Sequence, residues 1–328
     1  MNILFKYFFL MFLFANYSFH IQNVRRFAIN KWYLSTKKTG RCIINKKKDK
    51  KQVNEENENY LIQNSFLKNK RLISISPGGF KGFYLFGVLS FIKENYETSN
   101  FIYSGASAGA WNALFMCLNE EKGKEKGKES SYFKTLITDE ELKKTATIFD
   151  FEKIIKTKLL SYYKGKDELF DFRRLFIGVT NVNEKYQWTT TIYNDFENLE
   201  DAIDCCIASS HIPFITGGMM NRYNDRINFD GGFKQNPYLN INQSVLHVSP
   251  SMWIKIKEIM KKENGIPVKS KPSFFLKIQN FLNQTTLFNK NDYDFFQLYQ
   301  DGYNEARENK AILDDILGGG IYIPPTTP

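Results

Sequence analysis

Residues 101–118 read FIYSGASAGAWNALFMCL. A short apolar run, Phe101 to Ser104, gives way to Gly105-Ala106-Ser107-Ala108-Gly109, and an apolar helical stretch, Ala108 to Leu118, follows at once. A G-x-S-x-G pentapeptide framed by strand and helix predicts a sharp turn that lifts its serine to a helix N-terminus. Such a turn tolerates little bulk, and Gly105, Ala106, Ala108 and Gly109 are all small. At that position the helix dipole and the free N–H groups favour negative charge on the serine Oγ. Ser107 is therefore a candidate nucleophile.

Upstream, Leu72 to Ser76 (LISIS) is a strand-like run that ends in Pro77-Gly78-Gly79-Phe80-Lys81-Gly82. Successive glycines let backbone N–H groups turn around an anion, and acyl transfer needs such donors for its tetrahedral oxyanion. Gly78, Gly79, Gly82 and, from the next turn, Ala108 are the candidate donors, with Lys81 either supporting the anion or simply solvated. The segment is no nucleotide P-loop, because no G-K-[ST] follows at the required spacing. Downstream, Ile227 to Phe229 leads into Asp230-Gly231-Gly232. An aspartate at a strand end, with glycines allowing close approach, is placed to act as a base; Asp-Gly is also the commonest hairpin signal.

Around these motifs the pattern alternates. Helical periodicity runs from Tyr84 to Tyr96 and from Leu199 to Ala208, and strands are expected at Leu175–Val182 and Gln187–Tyr193. From about Ser249 the chain reads as helical, with linkers at Lys269–Ser273 and Gly318–Pro328. Strand–helix alternation implies an α/β domain with a largely parallel sheet. Met252 to Lys262 (MWIKIKEIMKK) is amphipathic and basic, and suits either an anionic bilayer or packing on the core.

The three motifs in this order resemble the patatin-like phospholipases: a glycine-rich loop with a basic residue, then G-x-S-x-G, then D-G-G. Ala208 to Phe214 (ASSHIPF) and Asn236-Pro237 also resemble the family's sequence around its catalytic aspartate. The resemblance covers about Arg71 to Leu239, and more loosely Phe295 to Asn309. It implies a three-layer α/β sandwich with a mostly parallel central sheet flanked by helices. It further implies a serine lipid acyl hydrolase that works by a Ser107–Asp230 dyad, with no cofactor and no metal. Of the three histidines, His20 lies in the leader, so a Ser-Asp-His triad would have to use His247 or His211. Pro77 stands where many members carry a third glycine. Phe83-Tyr84 resembles the animal triglyceride-lipase branch and Lys81 the plant and bacterial branch, so triacylglycerol hydrolysis and acyl transfer stand as alternatives to phospholipid cleavage, as does a catalytically silent membrane-binding protein. The expected partner is a glycerolipid at a membrane or lipid-droplet surface. Phe80, Phe83, Phe86, Trp111, Phe115 and Phe214 are candidates for an acyl cleft, or for core.

Bulk properties agree. The chain of 328 residues carries a net charge of +10, but residues 1–70 hold 14 Lys/Arg against 4 Asp/Glu, and the remainder holds 31 of each. A neutral body argues against a nucleic-acid protein, which needs a basic surface on its folded domain. Residues 1–20 have the shape of a signal peptide, with an apolar run from Tyr7 to Ala15 too short to span a bilayer. Residues 21–70 are basic and resemble either a transit peptide, directing the chain through the secretory route to a plastid bounded by extra membranes, or a disordered linker. The catalytic domain is expected over 71–310, with a tail at 311–328. Glu120 to Ser131 is a charged tract expected as an exposed loop or lid edge. Cys42, Cys117, Cys205 and Cys206 have no metal-type spacing and read as free thiols.

Overall fold

Strand β1 (Arg41–Asn45) and strand β2 (Arg71–Ile75) precede helix α1 (Gly82–Asn95), strand β3 (Phe101–Gly105) and helix α2 (Ala108–Cys117). Two short helices, α3 (Tyr132–Thr135) and α4 (Glu140–Lys144), lead to the longer α5 (Ile148–Tyr162). Strands β4 (Leu175–Val182) and β5 (Trp188–Asn194), helix α6 (Leu199–Ser209), strands β6 (Asn221–Tyr223), β7 (Arg226–Phe229) and β8 (Ser244–Val248), and helices α7 (Met252–Glu263), α8 (Phe295–Glu308) and α9 (Lys310–Leu317) complete the chain. These elements come from a computed structural model that describes residues 41–45, 67, 70–119, 132–144, 148–182, 188–234, 237–239, 244–263 and 294–318. The signal-like segment, most of the basic segment after it, the charged tract 120–131, Asn236, the linker at Lys269–Ser273 and residues 319–328 lie outside the described residues.

The sheet runs β1-β5-β4-β3-β2-β8, with β7 also paired to β4 and β6 to β7. Its centre, β8-β2-β3-β4, is parallel, and β5, β1, β7 and β6 join antiparallel. All five residues of β3 and seven of the eight in β4 are buried. Because successive side chains point to opposite faces, continuous burial means that both faces are covered, as parallel strands require. This is the mixed α/β sheet flanked by helices that the alternation predicts.

Helix α1 is buried on nearly every side, from Tyr84 to Ile92. Its closest neighbour is α8, and glycines permit the approach. A Cβ added at Gly87 would stand 2.0 Å from the Tyr299 carbonyl oxygen, and one at Gly302 would stand 2.0 Å from that of Tyr84. Both helices are also held by side chains. Asp294 Oδ1 caps α8 by accepting from the N–H groups of Phe296 and Gln297, at 2.9 and 3.0 Å. Lys93 of α1 donates to Phe115 O and Leu118 O, at 2.7 and 2.6 Å, closing the C-terminal end of α2 with a cation.

Two expectations need correction. Arg41–Asn45, within the segment expected as transit peptide or linker, is an edge strand on β5; five residues of mixed character are too short a pattern to stand out. The tail expected from 311 is helical to Leu317, and Arg71 Nη1 caps its end by donating to Leu317 O at 2.7 Å. For the amphipathic helix α7 the structure agrees with the core-packing alternative, since Met252, Trp253 and Ile256 point into the core. No helix among the described residues is long and apolar enough to cross a membrane.

Candidate active site

Ser107 sits between β3 and α2 with φ +53° and ψ −129°, a conformation rarely taken by a residue with a side chain. The surrounding contacts hold it there. Its N–H donates to Ser209 Oγ at 2.8 Å, and that hydroxyl donates to Gly178 O of β4 at 2.7 Å. Its carbonyl accepts from Ala110 N at 2.8 Å. The flanking glycines are sterically required. A Cβ at Gly105 would lie 2.0 Å from Gly109 O, and one at Gly109 would lie 2.3 Å from Ile75 O. The pentapeptide is thus a strained turn wedged onto the ends of β2 and β3.

Asp230 follows β7 directly. Its N–H donates to His211 O at 2.7 Å, and its Oδ1 accepts from Gly232 N at 2.7 Å. The carboxyl is buried beside Ser107; burial raises its pKa to about 6, against the lowering effect of Ser107 and of the bond from Gly232. Gly231 is needed here, since a Cβ would lie 2.4 Å from Gly178 O and 2.6 Å from Ala106 Cβ. A Cβ at Gly232 would crowd Asp230 Oδ1 and the Pro77 ring, at 3.0 and 3.1 Å. The Asp-Gly-Gly triplet therefore brings a carboxylate to the serine elbow; it does not close a hairpin.

Both groups open into one cavity of about 160 Å³ with overwhelmingly apolar walls. Gly79, Gly82 and Ala108 line it beside Ser107 and Asp230. Gly79 takes φ +51° and opens a turn over Gly79–Lys81, while Ala108 opens α2, so the N–H groups of both have no partner within their own elements. Gly78 caps that turn. The other two expected donors are used differently. Lys81 is exposed, does not line the cavity, and spends its N–H on Gly78 O at 3.0 Å. The Gly82 N–H turns back to the carbonyls of Gly79 and Phe80, and what Gly82 contributes is closeness: a Cβ there would be 2.7 Å from that of Ala108.

Phe80, Phe83, Phe86, Trp111 and Phe115 all line the cavity and pack into the core at once, joined by Phe133 and Phe151. Rings interlock across three elements, with Phe83 stacked on Phe295 at 4.4 Å and Phe86 edge-on to Phe115 at 4.6 Å. Phe214 is the exception: it is 57% exposed and stands outside. Neither described histidine lines the cavity. His247, on β8, pairs its Nδ1 with Ser74 Oγ at 2.9 Å, and burial lowers its pKa to about 4. The His211 ring is buried near Phe229, with Nε2 unpaired. Among the described residues no three His, Cys, Asp or Glu side chains converge as a metal site requires. Cys117, Cys205 and Cys206 are buried free thiols.

Sequence reading missed Glu152 on α5, which lines the cavity at 8% exposure. Desolvation first, then the Asp230 charge, raises its pKa well above the carboxylate range, against the lowering effect of Ser210. The signal was present: Phe151, Ile155 and Leu159 recur every four residues, and Glu152 lies beside that apolar stripe. The supporting hydroxyls of Ser209 and Ser210 were also unassigned.

No curated protein sequence matches this chain significantly. The family description "Patatin-like phospholipase" matches residues 73–241, which span the glycine loop, the serine elbow and the Asp-Gly-Gly triplet. With half the chain covered and the α/β sheet in place, this protein belongs to the patatin-like phospholipase family, a family of lipolytic hydrolases.

Proposed function

We propose that this protein is a serine-dependent lipid acyl hydrolase in which Ser107 and Asp230 form a catalytic dyad. The observation that carries the reading is the meeting of Ser107 and the buried Asp230 carboxyl in one aromatic-walled cavity, near enough for the serine to act on the carboxyl's pKa. As Ser107 Oγ attacks the ester carbonyl, Asp230 takes its proton. The carbonyl oxygen gains a negative charge, which the N–H groups of Gly78, Gly79 and Ala108 stabilise. Collapse expels the alcohol, which leaves with the proton from Asp230, and the acyl group stays on Ser107. Water then gives its proton to Asp230 and attacks the acyl carbon, and as the fatty acid leaves, Asp230 returns that proton to Ser107 Oγ, regenerating the hydroxyl and the carboxylate. An unperturbed aspartate is a weak base for this step; the desolvation that raises Asp230 strengthens it.

The apolar walls support a long acyl chain as the group transferred. A lipid surface as its source is supported by the loop before Asp230. Ile212 and Thr216 line the cavity from one side of that loop, while Phe214, Met219 and Met220 stand 57%, 58% and 51% exposed on the other. Phe214 holds φ +62°, a strained conformation for an aromatic residue, and the turn around it is tied by Ile212 N to Thr216 Oγ1 at 2.8 Å. Rigid display of apolar side chains beside a cavity mouth suits contact with a membrane or lipid droplet. Phospholipids or related glycerolipids are the proposed substrates. Ser107→Ala is expected to abolish fatty-acid release from a mixed lipid panel read by mass spectrometry, and labelling by a fluorophosphonate probe with it. Unchanged release from that variant ends this reading.

A further inference from the structure

The cavity wall contains six polar side chains besides the Trp111 indole: Ser107, Asn112, Glu152, Ser210, Thr216 and Asp230. The fold uses most of their capacity. Ser107 and Asp230 face each other, and Asp230 Oδ1 also accepts from Gly232 N. Asn112 gives its amide hydrogens to Gly82 O and Ala108 O, at 3.1 and 2.9 Å. Thr216 Oγ1 accepts from Ile212 N and donates to Ser210 O, at 2.8 and 2.9 Å. Ser210 Oγ donates to Cys206 O at 2.9 Å and accepts from Trp111 Nε1 at 3.0 Å.

Glu152 is different. It stands near Ser210, but the single hydrogen of that serine already lies on Cys206 O, so the serine has none left to give the carboxyl. Buried and lining the cavity, Glu152 keeps acceptor capacity that the fold does not use. The location is close to the chemistry, because Ser209, the neighbour of Ser210, holds the Ser107 backbone at 2.8 Å. A buried acid between Phe151 and Ile155 is costly, and an apolar side chain of similar size would be cheaper there.

We propose that the carbonyl oxygen of Glu152 accepts a hydrogen bond from a hydroxyl brought to the scissile ester, making Glu152 a specificity-determining residue of this site. The inference rests on the hydrolase reading above. Two molecules supply such a hydroxyl: the water that attacks the acyl-enzyme, and a partly deacylated glycerolipid whose free hydroxyl lies next to its remaining ester. Both offer the same O–H donor.

Glu152→Gln keeps a carbonyl acceptor and an N–H for Ser210, whereas Glu152→Leu keeps the volume and loses both. The full-length variants are compared on diacyl phosphatidylcholine, on lysophosphatidylcholine of the same chain, and on p-nitrophenyl butyrate with the burst and steady-state rates separated. A loss of about tenfold in kcat/KM on the lysolipid alone for Leu, with Gln near wild type, identifies the lipid hydroxyl. A comparable fall in the steady-state rate with the burst intact, again rescued by Gln, identifies the water. Equal losses in Gln and Leu, or no loss in either, overturn the proposal. A wild type that turns over none of the three sinks the hydrolase reading instead. The contact is then judged by titrating lysophosphatidylcholine against Trp111 fluorescence, where an affinity unchanged by Glu152→Leu overturns it and one weakened by Leu but kept by Gln supports it.

Discussion

At the scale of single residues, Asp230 shows how burial serves chemistry at the expense of stability. Its pKa of about 6 lies above the ordinary carboxyl value, so over the interval from about pH 4 to 6 the folded protein retains a proton that the unfolded chain releases. Stability therefore falls as pH rises through that interval and stays lower above it. Asp230→Asn cannot ionise and is expected to be more stable at pH 7, by about 2–3 kcal/mol for a shift of this size. Its melting temperature should exceed that of the wild type by several degrees at pH 7, and the difference should shrink towards pH 4. The same variant should lose at least about a thousandfold in kcat with an ester substrate, because no base remains for Ser107. In the wild type, kcat/KM should fall with a slope approaching tenfold per unit below about pH 6, as Asp230 is protonated. A profile flat down to pH 4.5 would exclude Asp230 as the base.

At the scale of elements, the crossing of α1 and α8 and the loop before Asp230 make separate predictions. Gly302→Ala places a methyl group against the Tyr84 backbone, which cannot turn aside, so the helices must part. A loss of about 2–4 kcal/mol in denaturant unfolding is expected, typical of overpacking against backbone in a tight interface. Because α8 carries Phe295, which stacks on Phe83 of the cavity wall, turnover of long-chain esters should fall with it more than that of short-chain esters. The loop acts on a different step. Replacing Phe214, Met219 and Met220 together by serine removes exposed apolar surface without touching the cavity lining. Cosedimentation with phosphatidylcholine vesicles should drop about tenfold or more, while hydrolysis of a soluble monomeric ester should stay within about twofold of wild type, since a few partly inserted apolar side chains contribute on the order of 1–3 kcal/mol each. Unchanged vesicle binding would remove this loop from the account of the lipid surface.

At the scale of the whole molecule, the sequence made legible what depends on local geometry. The elbow at Gly105–Gly109 and the triplet at Asp230–Gly232 announce themselves because backbone packs where a Cβ would stand, and glycine is then the only solution. The alternation around them read correctly because β2, β3 and β4 are nearly continuous apolar runs. What stayed hidden depends on distant partners. Lys81 read equally as an oxyanion residue or a solvated lysine, and the three-residue turn at Gly79–Lys81 leaves it exposed. Phe214 was a candidate for cleft or core, and it is neither: at φ +62° it stands exposed. Glu152 gains its significance from Ser210 and Asp230, more than fifty positions away; the apolar stripe beside it marks a buried acid but not which partners it meets. The loop from Ile212 to Met220 has one further implication. It is a partition with an indoor and an outdoor side, and any coupling between an occupant indoors and a surface outdoors must by linkage be equal in both directions. An acyl chain lodged indoors would keep the molecule berthed at the surface that supplied it, and release of the fatty acid would be the signal to cast off.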